Sequence, residues 1–194
     1  MAESRMETGF LPRAGLQALL DALHQAGYRC IGPQVRDEAI VYDTLGKATD
    51  LPQGVRDRQT PGRYRLETTS SLRNFSWANG PQALKPFLFA PHEAMWRAAR
   101  DAQGKLCFSE ILPAPEMLAI IGARACDVAA LRLQDRHFLE GTFADPCYAE
   151  KQKNLFLVAV HCTHPADTCF CASTGDGPRA TQGFDIALSE LDDG

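Results

Sequence analysis

Two apolar segments in the second half of the chain each lead directly to a cysteine, and this arrangement constrains the fold more than any other feature. Residues 117–121 lead to Cys126, and residues 155–160 lead to Cys162. Both segments have the length and residue types of buried strands, and helical spacing over residues 127–134 lies between them. A strand, a helix and a second strand in this order predict a βαβ unit with parallel strands.

The predicted unit brings cysteines together at one edge of a sheet. The carboxyl ends of neighbouring parallel strands meet at the same edge, so Cys126 and Cys162 are expected to lie close together. Cys169 and Cys171 follow in a polar loop, residues 162–183, that leaves this edge. The helix N-terminus expected at Cys126 would stabilise its thiolate. The sequence therefore predicts one metal site made of Cys126, Cys162, Cys169 and Cys171.

The spacing of these cysteines does not identify the metal. Four thiolates suit either tetrahedral zinc or an iron-sulfur cluster. The C-x6-C-x-C pattern matches neither the C-x2-C pairs of zinc ribbons nor the C-x2-C-x2-C run of bacterial ferredoxins. The three remaining cysteines are interpreted as small buried hydrophobes, and the two histidines beside Cys162 as neighbours of the site rather than ligands. These residues are Cys30, Cys107, Cys147, His161 and His164.

The rest of the chain completes an α/β fold. We expect a mixed sheet with the βαβ unit and a cysteine-rich loop at the sheet edge, in a single domain over residues 1–194 that has possible subregions 1–100 and 101–194. Residues 46–80 are interpreted as a long ordered loop or a set of weak strands. The other predicted elements are helices over 13–26 and 91–100, strands over 28–31, 39–42 and 184–188, and a helix or turn region over 135–148.

Composition and charge exclude several classes of function. The net charge is -4 without a long run of either sign, which argues against a nucleic-acid partner. The longest aliphatic and aromatic run has six residues, too short for a membrane span, and the first ten residues carry charges where a signal peptide is apolar. A cytoplasmic protein is expected.

Two further features bear on function. We find no nucleophile, acid-base pair or complete dinucleotide loop, so a stand-alone enzyme is not expected. Four arginines within the predicted loop or weak strands of residues 46–80 are interpreted as a solvated face or as an anchor for a partner subunit or an anionic ligand. These are Arg56, Arg58, Arg63 and Arg65.

Several short motifs resemble a known family. The segments GARACD (122–127), DPCY (145–148) and CFCASTG (169–175) resemble the beta subunit of soluble nickel-iron hydrogenases, or sulfhydrogenases, and the A subunit of anaerobic sulfite reductase. Two upstream segments, TPGRYRL (60–66) and KPFLFAPHE (85–93), are similar to the same family, so the likeness covers most of the chain. Thr174 departs from the methionine expected in the family, but it does not touch a proposed ligand.

The resemblance implies an electron-transfer subunit with one [4Fe-4S] cluster on the four predicted cysteines. Electrons would pass between a flavin-containing NAD(P) diaphorase subunit and a catalytic subunit of hydrogenase or sulfite reductase type. Family members usually continue into a ferredoxin-like segment with two further clusters, and the chain ends at Gly194 without the corresponding cysteine run. We therefore expect a C-terminal domain to be missing. The alternative is a zinc-stabilised scaffold that holds other subunits together without redox activity.

Overall fold

The computed structural model describes residues 7–80, 84–112, 114 and 116–192. Within these residues the structure contains nine strands and five α-helices, with short 3-10 turns at Arg13–Gly15 and Ala48–Asp50. The helices are α1 (Leu16–Gln25), α2 (Lys85–Leu88), α3 (Ala125–Leu139), α4 (Pro146–Lys153) and α5 (Cys171–Thr174). The strands are β1 (Arg29–Arg36), β2 (Ala39–Thr44), β3 (Val55–Thr60), β4 (Arg63–Thr68), β5 (Trp96–Arg100), β6 (Leu106–Glu110), β7 (Leu118–Ala123), β8 (Leu155–Val160) and β9 (Ile186–Leu188).

A five-stranded mixed sheet forms the centre of the protein, in the order β2-β1-β7-β8-β9. β2 is antiparallel to β1, and the pairs β1-β7, β7-β8 and β8-β9 are parallel. All six residues of β7 and the last four of β8 are buried, because strands in the middle of a parallel sheet are covered on both faces. The α/β fold class and the βαβ unit predicted from sequence are confirmed.

A glycine near the end of β7 interrupts its regular pairing with β8, shortly before the chain reaches Cys126. Gly122 has a φ of +87°, and the β7-β8 register shifts between Ile121 and Ala123. A Cβ at this position would lie 3.0 Å from the ring of Phe75. Glycine is therefore required both for the backbone conformation and for the close approach of the loop between β4 and α2.

Several predicted elements differ from the structure. The helix predicted over residues 91–100 is wrong: this region contains β5, which pairs with β6. The alternation of apolar and polar residues in this segment is short. The turn at Asp101 favours a hairpin, because the Asp101 carboxylate accepts hydrogen bonds from the N-H groups of Gln103 and Lys105. Residues 135–148 also divide differently, because α3 continues to Leu139 and α4 begins at Pro146.

Two hairpins lie outside the central sheet. β3 and β4 form one of them within the region for which weak strands were one prediction, and β5 and β6 form the other. Every residue of β5 and β6 is exposed. Cys107 lies on β6, so its interpretation as a buried hydrophobe is wrong, whereas Cys30 and Cys147 are buried as expected. None of the helices among the described residues is both long and apolar enough to cross a bilayer.

Candidate cysteine site

Three of the four predicted ligands lie where the chain leaves the carboxyl ends of β7 and β8. Cys126 is the second residue of α3, Cys162 stands two positions after the end of β8, and Cys171 begins α5. The charges of Cys171 and Cys162 both raise the pKa of the Cys126 thiol, so each of these two cysteines lies near Cys126. The parallel strand pair thus gathers cysteines that are distant in sequence, as the βαβ prediction required.

The protein around Cys126 disfavours its thiolate. Although the residue is exposed, desolvation by the surrounding atoms, followed by the charges of Asp127 and Cys171, raises the pKa of Cys126 to about 12. The backbone at the start of α3 lowers this pKa by hydrogen bonding, but the effect is smaller. The start of α3 therefore acts on the thiolate in the expected direction, but desolvation and the neighbouring charges outweigh it. A positively charged ligand would reverse this balance.

Cys162 and Cys169 are held by contacts inside the loop. The N-H of Cys162 donates to the Pro178 carbonyl at 3.0 Å, and its Sγ lies 3.5 Å from the carbonyl oxygen of His164. Cys169 is exposed and closes a tight turn, because its N-H donates to the Ala166 carbonyl at 3.0 Å and its Sγ accepts from the Ala166 N-H at 3.3 Å. Cys169 is not among the groups whose charge acts on Cys126.

The described side chains do not form a preassembled site for a single metal ion. Across residues 7–80, 84–112, 114 and 116–192, no group of three or more His, Cys, Asp or Glu side chains is placed to hold one metal ion. A tetrahedral zinc site with Zn-S bonds of about 2.3 Å needs its sulfur atoms about 3.8 Å apart. All four cysteines are free of disulfide bonds. The structure brings Cys126, Cys162 and Cys171 to one edge and leaves Cys169 in its own turn.

A second glycine makes room beside these thiols. A Cβ on Gly177 would lie 3.1 Å from the Sγ of Cys171 and 3.4 Å from the Cβ of Ala125. Any larger residue would press against both the first residue of α5 and the first residue of α3. Gly177 therefore allows the returning loop to approach the edge that carries Cys126 and Cys171.

A buried arginine beneath this edge connects distant segments of the chain, and the sequence did not reveal this role. Arg124 precedes α3 and is 1% exposed. Its Nη2 donates to the carbonyls of Phe75 and Trp77, both at 2.9 Å, and its guanidinium lies 4.4 Å from the centre of the Trp77 ring. The partners are 49 and 47 residues away in sequence, so no local pattern could have revealed them.

Asp127 completes this buried polar group. Its Oδ2 accepts from the N-H of Arg124 at 2.8 Å and from Nδ2 of Asn79 at 2.6 Å. Burial raises the pKa of Asp127, and the hydrogen bonds and the Arg124 charge act in the opposite direction. The Asp127 carboxylate therefore caps the first turn of α3 and also joins the loop at Asn79 to this helix.

The two histidines near Cys162 contact neighbouring segments. Nδ1 of His161 accepts from the N-H of Ala180 at 3.3 Å, and burial lowers the pKa of this imidazole. Nε2 of His164 lies 3.2 Å from the Asp57 carbonyl, to which it donates in the corresponding tautomer. His164 thereby connects the loop to β3, and His161 holds the far end of the loop next to its beginning.

Comparison with known proteins finds one curated relative. Over 139 residues, or 68% of the chain, the sequence is 31% identical to the protein named "Sulfhydrogenase 2 subunit beta" of Pyrococcus furiosus. The chain spans 37% of the length of that protein. No protein-family model matches the sequence, and no solved structure matches it.

Proposed function

The chain belongs to the same family as hydrogenase beta subunits, and from this relationship we propose that it is an iron-sulfur electron-transfer subunit. The proposed ligands of one [4Fe-4S] cluster are Cys126, Cys162, Cys169 and Cys171. The proposed partners are a flavin-containing NAD(P) diaphorase subunit and a catalytic subunit of hydrogenase or sulfite reductase type, and the proposed location is the cytoplasm.

The observation that carries this proposal is the electrostatic proximity of three free thiols at the carboxyl edge of β7 and β8. Cys126, Cys162 and Cys171 come from three separate segments, and the charges of Cys162 and Cys171 both raise the pKa of Cys126. Thiolates at such an edge suit soft metals, and an iron-sulfur cluster is larger than a single ion and needs a wider ligand frame.

The surroundings of the thiols fit such a ligand frame. Gly177 leaves space between Cys171 and the start of α3. The first N-H groups of α3 and the buried Arg124 provide positive potential behind Cys126. Cys169 has to leave the turn at Ala166 to join the other three, and it is exposed and held in that turn by two contacts. Binding would therefore order the loop around Cys169 more than the sheet edge itself.

A cluster bound at these thiols would accept and release one electron without forming a bond to an organic substrate. The role of the chain is then to hold the group, to limit its contact with water and to set its reduction potential. The indole of Trp77 and the Arg124 guanidinium exclude water from the side of the sheet. On the loop side, Phe170 lies between two proposed ligands and is exposed, so a partner subunit has to supply the cover there.

The test is metal analysis and a redox titration on protein purified without oxygen. We expect bound iron and sulfide, a broad visible absorption, and an EPR signal that appears on reduction. Replacing any one of the four proposed ligands by Ser should lower iron content severalfold, whereas Cys107→Ser, at an exposed thiol outside the site, should leave it unchanged.

The Cys169→Ser variant is the sharpest of these tests, because the structure does not place Cys169 beside the other thiols. Full iron content in that variant would remove Cys169 from the ligand set. A colourless protein that contains only zinc, or one that takes up no electron at any accessible potential, would refute the electron-transfer proposal and leave the zinc-stabilised scaffold.

A further inference from the structure

The outward face of the β3-β4 hairpin carries a dense group of arginines. The register pairs Arg58 with Arg65 and Thr60 with Arg63, and Arg56 lies opposite Glu67. Directly opposed residues share one face of a hairpin, so all four arginines project from the same side. We call this surface, formed by Arg56, Arg58, Arg63 and Arg65, the arginine face. All four residues are exposed.

The arginine face is poorly neutralised by the protein itself. Glu67 is the acidic residue on this side of the hairpin, and it lies 3.6 Å from Arg58. Both side chains of that pair are more than half exposed, so the interaction is weak and readily screened by salt. Arg58 and Arg65 directly oppose one another, an arrangement of like charges that destabilises a hairpin. Binding of an external anion would therefore relieve the repulsion between the charges of the arginine face.

The opposite face of the hairpin is tied to the core. Asp57 is 2% exposed, and its carboxylate accepts hydrogen bonds from the N-H of Ala78 and from Gln59. The Tyr64 hydroxyl accepts from the N-H of Ile40 at 3.1 Å. These contacts hold β3 and β4 against the central sheet, so the orientation of the arginine face is fixed by buried polar groups.

The same strand contacts the cysteine loop. Nε2 of His164 lies 3.2 Å from the carbonyl oxygen of Asp57, and the carbonyl of His164 is 3.5 Å from Sγ of Cys162. Arg56 and Arg58 flank Asp57 in the sequence and project to the other side of the strand. Two contacts thus connect the strand that carries the arginine face to a proposed ligand.

From this arrangement we propose that the arginine face docks a carboxylate-rich surface of a partner protein. The proposal rests on the proposed function in one respect: the partner is the subunit that exchanges electrons with the cysteine site. Docking on the arginine face would place an acidic partner on the outer side of the strand whose Asp57 contacts His164 of the cysteine loop. Complementary charge of this kind speeds encounter and fixes orientation more than it adds affinity.

The shape and composition of the arginine face favour a protein partner. Along the hairpin, the arginine face extends four residue steps, from Arg56 to the level of Arg63, which is about 13 Å. One small anion therefore cannot contact all four arginines. Single-stranded nucleic acid is bound through stacking on aromatic side chains, and the aromatic residue of this hairpin, Tyr64, points inward. The net charge of the chain is also -4. An extended acidic protein surface matches these features.

The test compares two variants that each remove two positive charges. The first, Arg58→Gln with Arg65→Gln, changes the arginine face, and the control, Arg97→Gln with Lys105→Gln, changes exposed residues of the β5-β6 hairpin and its turn. The probe is fluorescent poly-L-glutamate, and binding is measured by anisotropy over a range of salt concentrations. We expect about fivefold weaker binding for the first variant and little change for the control. The melting temperature of the first variant should not fall, since an opposed pair of like charges is removed.

Equal weakening in both variants would overturn the proposal, because binding would then depend on net charge alone. Tighter binding of a single-stranded oligodeoxynucleotide of the same charge would overturn the protein partner, and complete competition by inorganic phosphate would indicate a small-anion site instead. Iron content and EPR are measured on the same samples. If the chain binds poly-L-glutamate at the arginine face but holds no cluster, the electron-transfer function alone is refuted. If the chain holds a cluster but does not bind poly-L-glutamate there, the docking proposal alone is refuted.

Discussion

Replacing Arg124 by Met tests how strongly the loop between β4 and α2 is held to the edge that carries Cys126. The variant removes two charge-assisted hydrogen bonds to buried carbonyls, each worth roughly 1.5–3 kcal/mol, and a desolvated cation-π contact worth about 2 kcal/mol. Against this loss, Nε and Nη1 of Arg124 have no hydrogen-bond partner among the described residues, so burying the cation already carries a penalty. We expect a net loss of about 3 kcal/mol in the free energy of unfolding.

The measurement is urea denaturation of the metal-free protein under reducing conditions. With a slope near 2 kcal/mol per molar urea, a loss of this size lowers the midpoint by about 1.5 M. Arg132→Met, at an exposed position of the same helix, is the matched control and should change stability by less than about 0.5 kcal/mol. Arg124→Lys keeps the charge but loses the planar fork, so its stability should fall between wild type and Arg124→Met. A loss below about 1 kcal/mol in Arg124→Met would refute the reasoning, since it would mean that the unpaired guanidinium nitrogens cancel the bonds that are made.

Two further predictions concern the thiols directly. Gly177→Ala should lower iron content severalfold, because the added methyl group meets Cys171. The control Gly141→Ala, where the nearest atom to the added methyl group is 3.9 Å away, should bind iron normally. Equal iron content in the two variants would show that the space beside Cys171 is not used. In the metal-free protein at pH 8, iodoacetamide should alkylate Cys126 slowly, because its raised pKa keeps the thiol protonated, and Asp127→Asn should speed the reaction by removing a charge that raises this pKa. Mass spectrometry of the labelled peptides measures both rates, and an unchanged rate in Asp127→Asn would contradict the electrostatic explanation.

The central part of the fold was predictable because it depends on local patterns. The strand predicted over residues 155–160 coincides with β8, and the strand predicted over 117–121 differs from β7 by one residue at the start and two at the end. Both are uninterrupted apolar runs with clear boundaries, and such runs become buried parallel strands. The order of elements between them then gave the βαβ unit and the shared edge of Cys126 and Cys162.

The misses have different physical causes. The segment from Trp96 to Arg100 carries no helix-breaking residue, and only its pairing with β6 across the turn at Gly104 reveals a strand. The buried contacts of Arg124 join segments almost fifty residues apart, and periodicity carries no information on such pairs. The protonation state of Cys126 depends on desolvation and on Asp127, which outweigh the helix terminus. The position of Cys126 and Cys162 at the sheet edge was therefore predictable, and the protonation state of Cys126 was not.

The two tryptophans of the chain lie in opposite environments, and this provides two built-in optical probes. Trp77 is fully buried, with its indole N-H donating to the carbonyl of Asn74 and its ring against Arg124. Trp96 is 62% exposed on the β5-β6 hairpin. Emission that a soluble quencher such as acrylamide can reach comes from Trp96, and the protected emission comes from the wall behind the cysteine edge. A single fluorescence titration can thus separate an event at the hairpin from one at the thiols.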